Sequence, residues 1–328
     1  MKRIAVLSAG TDNPGINSAI RSITRTAVAK GCEVYGVQWG FRGLIEDHFV
    51  KLNSRKVSGI IGKPGSFLGS SKSTVINSHQ QLSQCLANLN KKSIEGLIVI
   101  GGGGTLAAST QFIENGKAVI GIPSTVQDDV NGTDICLGVD TAVNTIMNCV
   151  DHIRSCDSSR NRSFLVEVVG RESGLLAMRA AIVSGAEFVC VPENPCTSPG
   201  DLEKLAQQIQ DSTSRKSKTQ CICLISRGWK PGIKTLSNYL SEKMGESDLK
   251  VRETILGHLQ RGGQPSAYDR ILGTKFGHAA TMALLEGRNN EFVALKGNEV
   301  VLVPMSEALG KVKPMNNLMN LFSLTNIF

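Results

Sequence analysis

Aromatic residues make up only 5% of the 328-residue chain. That leaves few of the stacking platforms that single-stranded nucleic acid prefers. No apolar run approaches the ~20 residues of a membrane span, so neither nucleic acid nor membrane is an expected partner. The nine cysteines include no CxxC pair. Cys221 and Cys223 alternate along an apolar run and Cys190 lies in another, which reads as free thiols in a reducing compartment, with no metal site. A dinucleotide-binding GxGxxG and a P-loop GxxxxGK[ST] are both missing. The chain opens Met1-Lys2-Arg3 and enters a strand pattern at Ile4. No leader segment is expected, and the expected location is the cytoplasm.

What the chain does have is glycine, 34 residues of it, clustered in short turns that follow apolar runs. The net charge of +8 is scattered, with short clusters such as Arg215-Lys216-Ser217-Lys218. Scattered basic residues suit small phosphorylated ligands better than a polyanion. At 41% hydrophobic and 20% charged, the composition is that of a globular protein long enough for two domains.

Taken in order, Ile4–Leu7 is a buried-strand run, broken by Ser8-Ala-Gly-Thr-Asp-Asn-Pro-Gly15 before a helical pattern over Ile16–Ala29. Pro14 stands just inside that helix start. A strand over Glu33–Val37 follows, then a glycine-punctuated loop from Gly59 to Gly69. The run Gly96–Ile100 leads into Gly101-Gly-Gly-Gly-Thr105, a strand-to-helix junction where backbone amides can approach a phosphate. Ala118–Ile122 feeds the acidic turn Pro123-Ser-Thr-Val-Gln-Asp-Asp129, and a helix runs from about Gly138 to Cys156. Strand and helix patterns keep alternating to a helix over Ala267–Leu285 and two short strands near Val293 and Val300. Such alternation predicts parallel sheets flanked by helices. Asp12, Asp128, Asp129, Arg162, Arg171, Arg252, His258 and Arg261 fall in turns or strand ends and are expected to line one cleft. Carboxylates suit Mg²⁺ and arginines suit phosphates. An enzyme-like protein handling a phosphorylated metabolite is the expectation.

Ordered matches now accumulate along the chain. They are Gly10-Thr-Asp-Asn-Pro-Gly15, Phe67-Leu-Gly-Ser70, Gly101–Thr105, Pro123–Asp129, Val166-Glu-Val-Val-Gly-Arg171 and Glu187-Phe-Val-Cys-Val-Pro-Glu193, then Leu256-Gly-His-Leu-Gln-Arg-Gly-Gly263 with Tyr268-Asp-Arg270. On these the chain resembles the bacterial-type 6-phosphofructokinases from end to end. The resemblance implies two three-layer α/β domains with largely parallel sheets. A nucleotide-side domain would span 1–138 and 252–305, and a sugar-phosphate-side domain 139–251 and 306–328. It implies transfer of the terminal phosphoryl of ATP to fructose 6-phosphate with Mg²⁺, in glycolysis. Gly104 and Ser124 resemble the ATP-type pattern rather than the pyrophosphate type. A homotetramer with an effector site between subunits is also implied.

By resemblance, the sugar phosphate is held by Thr125, Arg162, Val169, Gly170, Arg171, Arg252, His258 and Arg261, two of these contacts arriving from a neighbouring subunit. Arg227 stands where the family has a sugar-contacting glutamate. The nucleotide positions are Gly10, Thr11, Lys72, Gly102, Gly103, Gly104 and Thr105; Thr11 replaces a glycine, Lys72 an arginine, and Asn77 another arginine near the adenine. The general-base aspartate is Gln127 and the metal-serving aspartate is Gly103, so no metal ligand is assigned. An amide cannot take the sugar hydroxyl's proton at neutral pH. Effector positions are Arg21, Arg25, Arg154, Glu187, Lys216 and Lys218, while Ser54 and Gly59 depart from the pattern. The expectation is a pseudoenzyme that binds fructose 6-phosphate or a bisphosphate, senses a nucleotide or phosphate effector, and works as a homo-oligomer or beside an active paralogue. The alternative is an active kinase in which Asp128 replaces the base.

Overall fold

The structure, a computed structural model, describes residues 1–72, 76–156, 162–214, 220–243, 250–311 and 313–325. It divides into two compact units, Met1–Thr141 with Arg261–Lys313, and Ala142–Gln260 with Pro314–Phe328. The stretch 252–260, expected on the nucleotide side, falls in the second unit because its strand pairs there.

The first unit is built on a seven-stranded sheet in the order β11-β10-β5-β4-β1-β2-β3. Its strands are β1 (Arg3–Ser8), β2 (Glu33–Val37), β3 (Phe49–Leu52), β4 (Gly96–Gly101), β5 (Ala118–Pro123), β10 (Glu291–Lys296) and β11 (Glu299–Pro304). The interior pairs run parallel. Both edges end in antiparallel pairs, β2–β3 and β10–β11, within a sheet that is largely parallel as expected.

Alternation along β1 explains the layering. Ile4 and Val6 face a core with Ile16, Ile20 and Ile23 of α1 (Ile16–Ala29) and Phe276 of α9 (Ala267–Leu285). Ala5 and Leu7 face the other way, onto α2 (Gly40–Ile45), α3 (His79–Lys91) and α4 (Gly103–Glu114) through Phe41, Leu89 and Phe112. A strand buried on both faces reads as a continuous apolar run for this reason. α1 and α9 approach closely because Gly273 and Gly277 carry no Cβ; one would stand 2.8 Å from the Gly15 carbonyl, the other 2.5 Å from that of Ala19.

The second unit has a four-stranded parallel sheet, β7-β8-β6-β9. It comprises β6 (Arg162–Val168), β7 (Phe188–Cys190), β8 (Gln220–Ser226) and β9 (Lys250–Ile255). Leu165, Cys223 and Ile225 pack against α7 (Pro199–Ser214) and α8 (Ile233–Lys243). Helix α6 (Leu175–Ser184) and the C-terminal α11 (Asn316–Thr325) contact one another. Helix α5 (Val139–Cys156) spans the division, and α10 (Met305–Ala308) closes the first unit's strand pair.

Candidate active site

In the first unit the chain moves outward from β1 to β2 and β3, then returns to place β4 on the other side of β1. This is the switch point at which open α/β sheets leave a crevice beyond the carboxyl ends of their strands. A cavity of about 180 Å³ lies there. It is lined by three turns: Gly10, Thr11 and Asn13 after β1, Gly102–Thr105 after β4, and Ser124–Gln127 with Asp129 after β5, together with Arg261.

Each turn is placed by a specific backbone need. Gly10 sits at φ +90°, a conformation that glycine adopts at no steric cost. A Cβ on Gly101 would stand 2.6 Å from the Ala9 carbonyl oxygen and 2.6 Å from the Thr105 Cβ. Helix α4 then starts at Gly103 with no side-chain cap and no acid in its first turn. The amide groups at such a start offer hydrogen bonds and partial positive charge to an anion. The β5 turn is held to the β1 turn by Asn13, whose Nδ2 donates to the Ser124 carbonyl at 3.1 Å. Asn13 is 2% exposed. Its role was missed in the sequence, where only its turn was marked.

The turn after β5 alternates in an instructive way. Gln127 is half-buried and its backbone N–H donates to Thr125 Oγ1 at 3.2 Å. Asp129 is exposed and lines the cavity. Asp128, between them, is 0% exposed. It adopts φ +57°, and its Oδ1 accepts from the Cys136 N–H at 2.8 Å and from Lys313 Nζ at 2.8 Å. Its carboxylate is thus engaged in a buried ion pair and does not line the cavity. Asp129 is the one carboxylate among the cavity residues and Arg261 the one guanidinium. Nothing comes nearer than 3.9 Å to a Cβ built on Gly103, so the missing side chain leaves open space.

Lys72 does not join this cavity. It lines a separate hollow of about 670 Å³ with Gly10, Trp39, Arg42, Glu46, Ser70 and Ser71. Trp39 and Arg42 were not singled out in the sequence; Trp39 sits at φ 56° with its ring half exposed, a geometry that no sequence signal announces.

The sugar-phosphate positions divide between the units. Thr125 and Arg261 belong to the first. Val169, Gly170 and Arg171 follow β6, Arg227 follows β8, and His258 lies in the 3₁₀ turn Gly257–Arg261 after β9, all at carboxyl ends of the second unit's sheet. Arg162 opens β6, and Arg252 pairs with Phe164 near the same end. Six residues of strand put Arg162 about 20 Å from Val168. Within one chain, then, the expected single cleft does not form from all of them: Arg162 lies at the opposite end of the sheet from Arg171.

The effector positions are divided likewise. Arg21 and Arg25 lie on α1 in the first unit. Arg154 donates to the Ser184 and Gly185 carbonyls at 3.3 and 2.7 Å in the second, and stands 3.7 Å from Glu187. Glu187 is buried, and its Oε2 accepts the Ile222 N–H at 2.7 Å. Lys216 and Lys218 lie outside the described residues.

Two glycine-rich turns and an acidic one over a largely parallel sheet, with an uncapped helix start and an arginine, form a cavity whose donors suit a phosphorylated small molecule. The family can be stated more closely. The phosphofructokinase family's sequence profile matches residues 3–284. An ATP-dependent 6-phosphofructokinase of Thermotoga petrophila is 41% identical over 317 residues, 96% of this chain and 97% of that protein. Another, from Tolumonas auensis, is 39% identical over 328 residues, 100% of this chain and 99% of that one. The chain belongs to the phosphofructokinase family. Among solved structures, the Pichia pastoris phosphofructokinase in the T-state superposes with a TM-score of 0.86 at 25% identity, matching 99% of this chain and 39% of that longer one. A pyrophosphate-dependent phosphofructokinase from Marinobacter aquaeolei shares the fold, with a TM-score of 0.81 at 20% identity.

Proposed function

We propose that this chain binds fructose 6-phosphate, or a bisphosphate of the same sugar, and does not itself transfer phosphate, serving as a regulatory or partner subunit. The observation that carries this reading is the cavity itself: the base position is Gln127 and the metal-serving position is Gly103, side by side in one lining. General-base help is worth typically ~10²–10⁴ in rate. Removing it together with a metal-serving carboxylate leaves little catalysis.

The relatives are named as ATP-dependent enzymes, and Mg²⁺ with ATP is what membership implies. The turn amides and the start of α4 suit phosphate oxygens, which supports the anion half of that fit. For Mg²⁺ the cavity offers Asp129 alone, where such an ion ordinarily rests on one or two carboxylates with phosphates and water. Bound there, the ion would neutralise charge on the phosphoryl group. Thr11 adds bulk beside those phosphates and weakens the nucleotide's hold, while Lys72 contributes only a point charge from the neighbouring hollow.

Arg171, Arg227 and His258, gathered at the carboxyl ends of the second unit's sheet, are the sugar-phosphate contacts that unit contributes. Arg162 and Arg252 serve a neighbouring subunit, in a homotetramer or a mixed oligomer with an active paralogue in the cytoplasm. Arg227, in place of an acid, favours a second phosphate. Arg21, Arg25 and Arg154 hold a phosphorylated effector. Glu187, whose Oε2 accepts the Ile222 N–H, is the carboxylate that would serve a metal held with that effector.

A second reading keeps the chain an active kinase. Asp128 does not serve it, being buried against Lys313; Asp129 is the carboxylate it would use. Calorimetry with fructose 6-phosphate and a coupled assay with MgATP on the same protein separate the two. Binding without turnover is the expected outcome. Ordinary turnover that collapses in Asp129→Ala would establish the active reading instead.

A further inference from the structure

The buried pair beside the cavity has a long reach along the chain. Asp128 and Lys313 are 185 residues apart, and their contact is 2.8 Å. The lysine side chain is 9% exposed and the aspartate 0%. Lys313 Nζ also donates to the Asp134 carbonyl at 2.9 Å. Asp128 Oδ1 in turn accepts the Cys136 N–H. One ammonium thus ties both ends of the excursion 128–136, which leaves β5 and returns to α5. The charged and titratable groups around this neck are Asp128, Asp129, Asp134, Cys136 and Lys313. Burial, with Asp128 next, pushes the Cys136 thiol far up, and Lys313 pulls it back.

We propose that Lys313 is a positioning residue for the cavity: by holding Asp128 it fixes the turn that presents Gln127 and Asp129. The backbone explains why holding is needed. A non-glycine residue at positive φ persists only where its surroundings impose it. The conformation of Asp128, φ +57°, is held in part by its bonds to the Cys136 N–H and Lys313 Nζ. Take the ammonium away and the buried carboxylate loses this counter-charge, a loss relieved by taking up a proton or by moving toward water. Moving Asp128 outward rotates the backbone between Gln127 and Asp129, and both leave their places in the lining. Lys313 is also the last residue of the first unit, immediately before Pro314 of the second.

The inference deepens the proposed binding role and rests on it only for its ligand readout. The test uses the full chain and three variants: Lys313→Met, Lys313→Arg and Asp128→Asn/Lys313→Met. Hydrogen exchange of amides 125–130 needs no ligand. It should quicken by about tenfold in Lys313→Met, recover in Lys313→Arg, and recover in the double variant, which carries no buried charge. Fructose 6-phosphate affinity, measured well below each variant's melting temperature, should fall about tenfold in Lys313→Met and follow the same rescue. Unchanged exchange at 125–130 in Lys313→Met overturns the proposal. So does quickened exchange with unaltered affinity, or a double variant that regains its melting temperature but not its exchange pattern. If the unsubstituted chain binds no fructose 6-phosphate, the proposed function fails while the exchange arm still decides the role of Lys313.

Discussion

Position 127 turns on a single property of the side chain, the lack of a group that accepts a proton at neutral pH. Gln127 occupies the cavity lining with its backbone held by Thr125, so geometry is not what is missing. At position 103 the cavity has room for a carboxylate, since a built Cβ meets nothing nearer than 3.9 Å and the backbone φ is ordinary. Gln127→Asp with Gly103→Asp should therefore raise ATP-dependent turnover by at least ~10²-fold over the unsubstituted chain in a coupled assay. No rise would place the block at Thr11. Both positions were singled out through the family resemblance, and both line the one cavity. The fate of Asp128 was not legible: sequence reasoning treats the turn as extended, with neighbours on opposite faces, whereas the residue is left-handed and its partner lies 185 positions away. Long-range pairing of that kind leaves no local signal.

At the scale of elements, the site depends on turns that tolerate no added atoms. Gly101→Ala would drive a Cβ to 2.6 Å from a carbonyl oxygen and from the Thr105 side chain. Expected are a loss of about 1–3 kcal/mol in denaturant unfolding and weaker phosphate binding. The start of α5 depends instead on α9. Asp269 accepts from the Gly138 and Thr141 amides at 2.8 Å each and from the Thr141 hydroxyl at 2.5 Å. Burial pushes its carboxyl up, against those three bonds. Asp269→Ala should cost about 3 kcal/mol in the same measurement, because it orphans buried donors. Helix α9 was readable from its apolar spacing end to end. Helix α3 was overlooked because it buries little, chiefly Cys85, Asn88 and Leu89. Its start carried a usable sign, Ser78 three residues before Gln81, with Ser78 Oγ accepting the Gln81 N–H at 3.3 Å, the N-cap bond of a capping box. Helix α11 was also overlooked, although Leu318, Leu321 and Phe322 stand at helical spacing; none of its residues is buried.

For the whole molecule, the thiols offer an independent check on the packing. None of the nine cysteines is in a disulfide, and Cys156 alone among them is exposed. Burial pushes the Cys85 thiol up to about 12, which leaves almost no thiolate at pH 8. Iodoacetamide at pH 8 should therefore label Cys156 quickly, while Cys85, Cys136 and Cys223 react only after denaturation; early labelling of Cys85 would contradict the first unit's core. The placing of Arg162 and Arg171 at opposite ends of one sheet was within reach of the sequence, because Arg162 opens β6 and Arg171 follows it. On the proposed function, the arginines and Gln127 meet in one consequence, binding without chemistry. The most direct measurement is single-turnover formation of fructose 1,6-bisphosphate from MgATP and fructose 6-phosphate, with protein in excess over sugar and binding shown on the same sample. The expected result is a saturated complex whose conversion is at least ~10³-fold slower than the 1–100 s⁻¹ usual for kinases; conversion within that ordinary range would contradict the account.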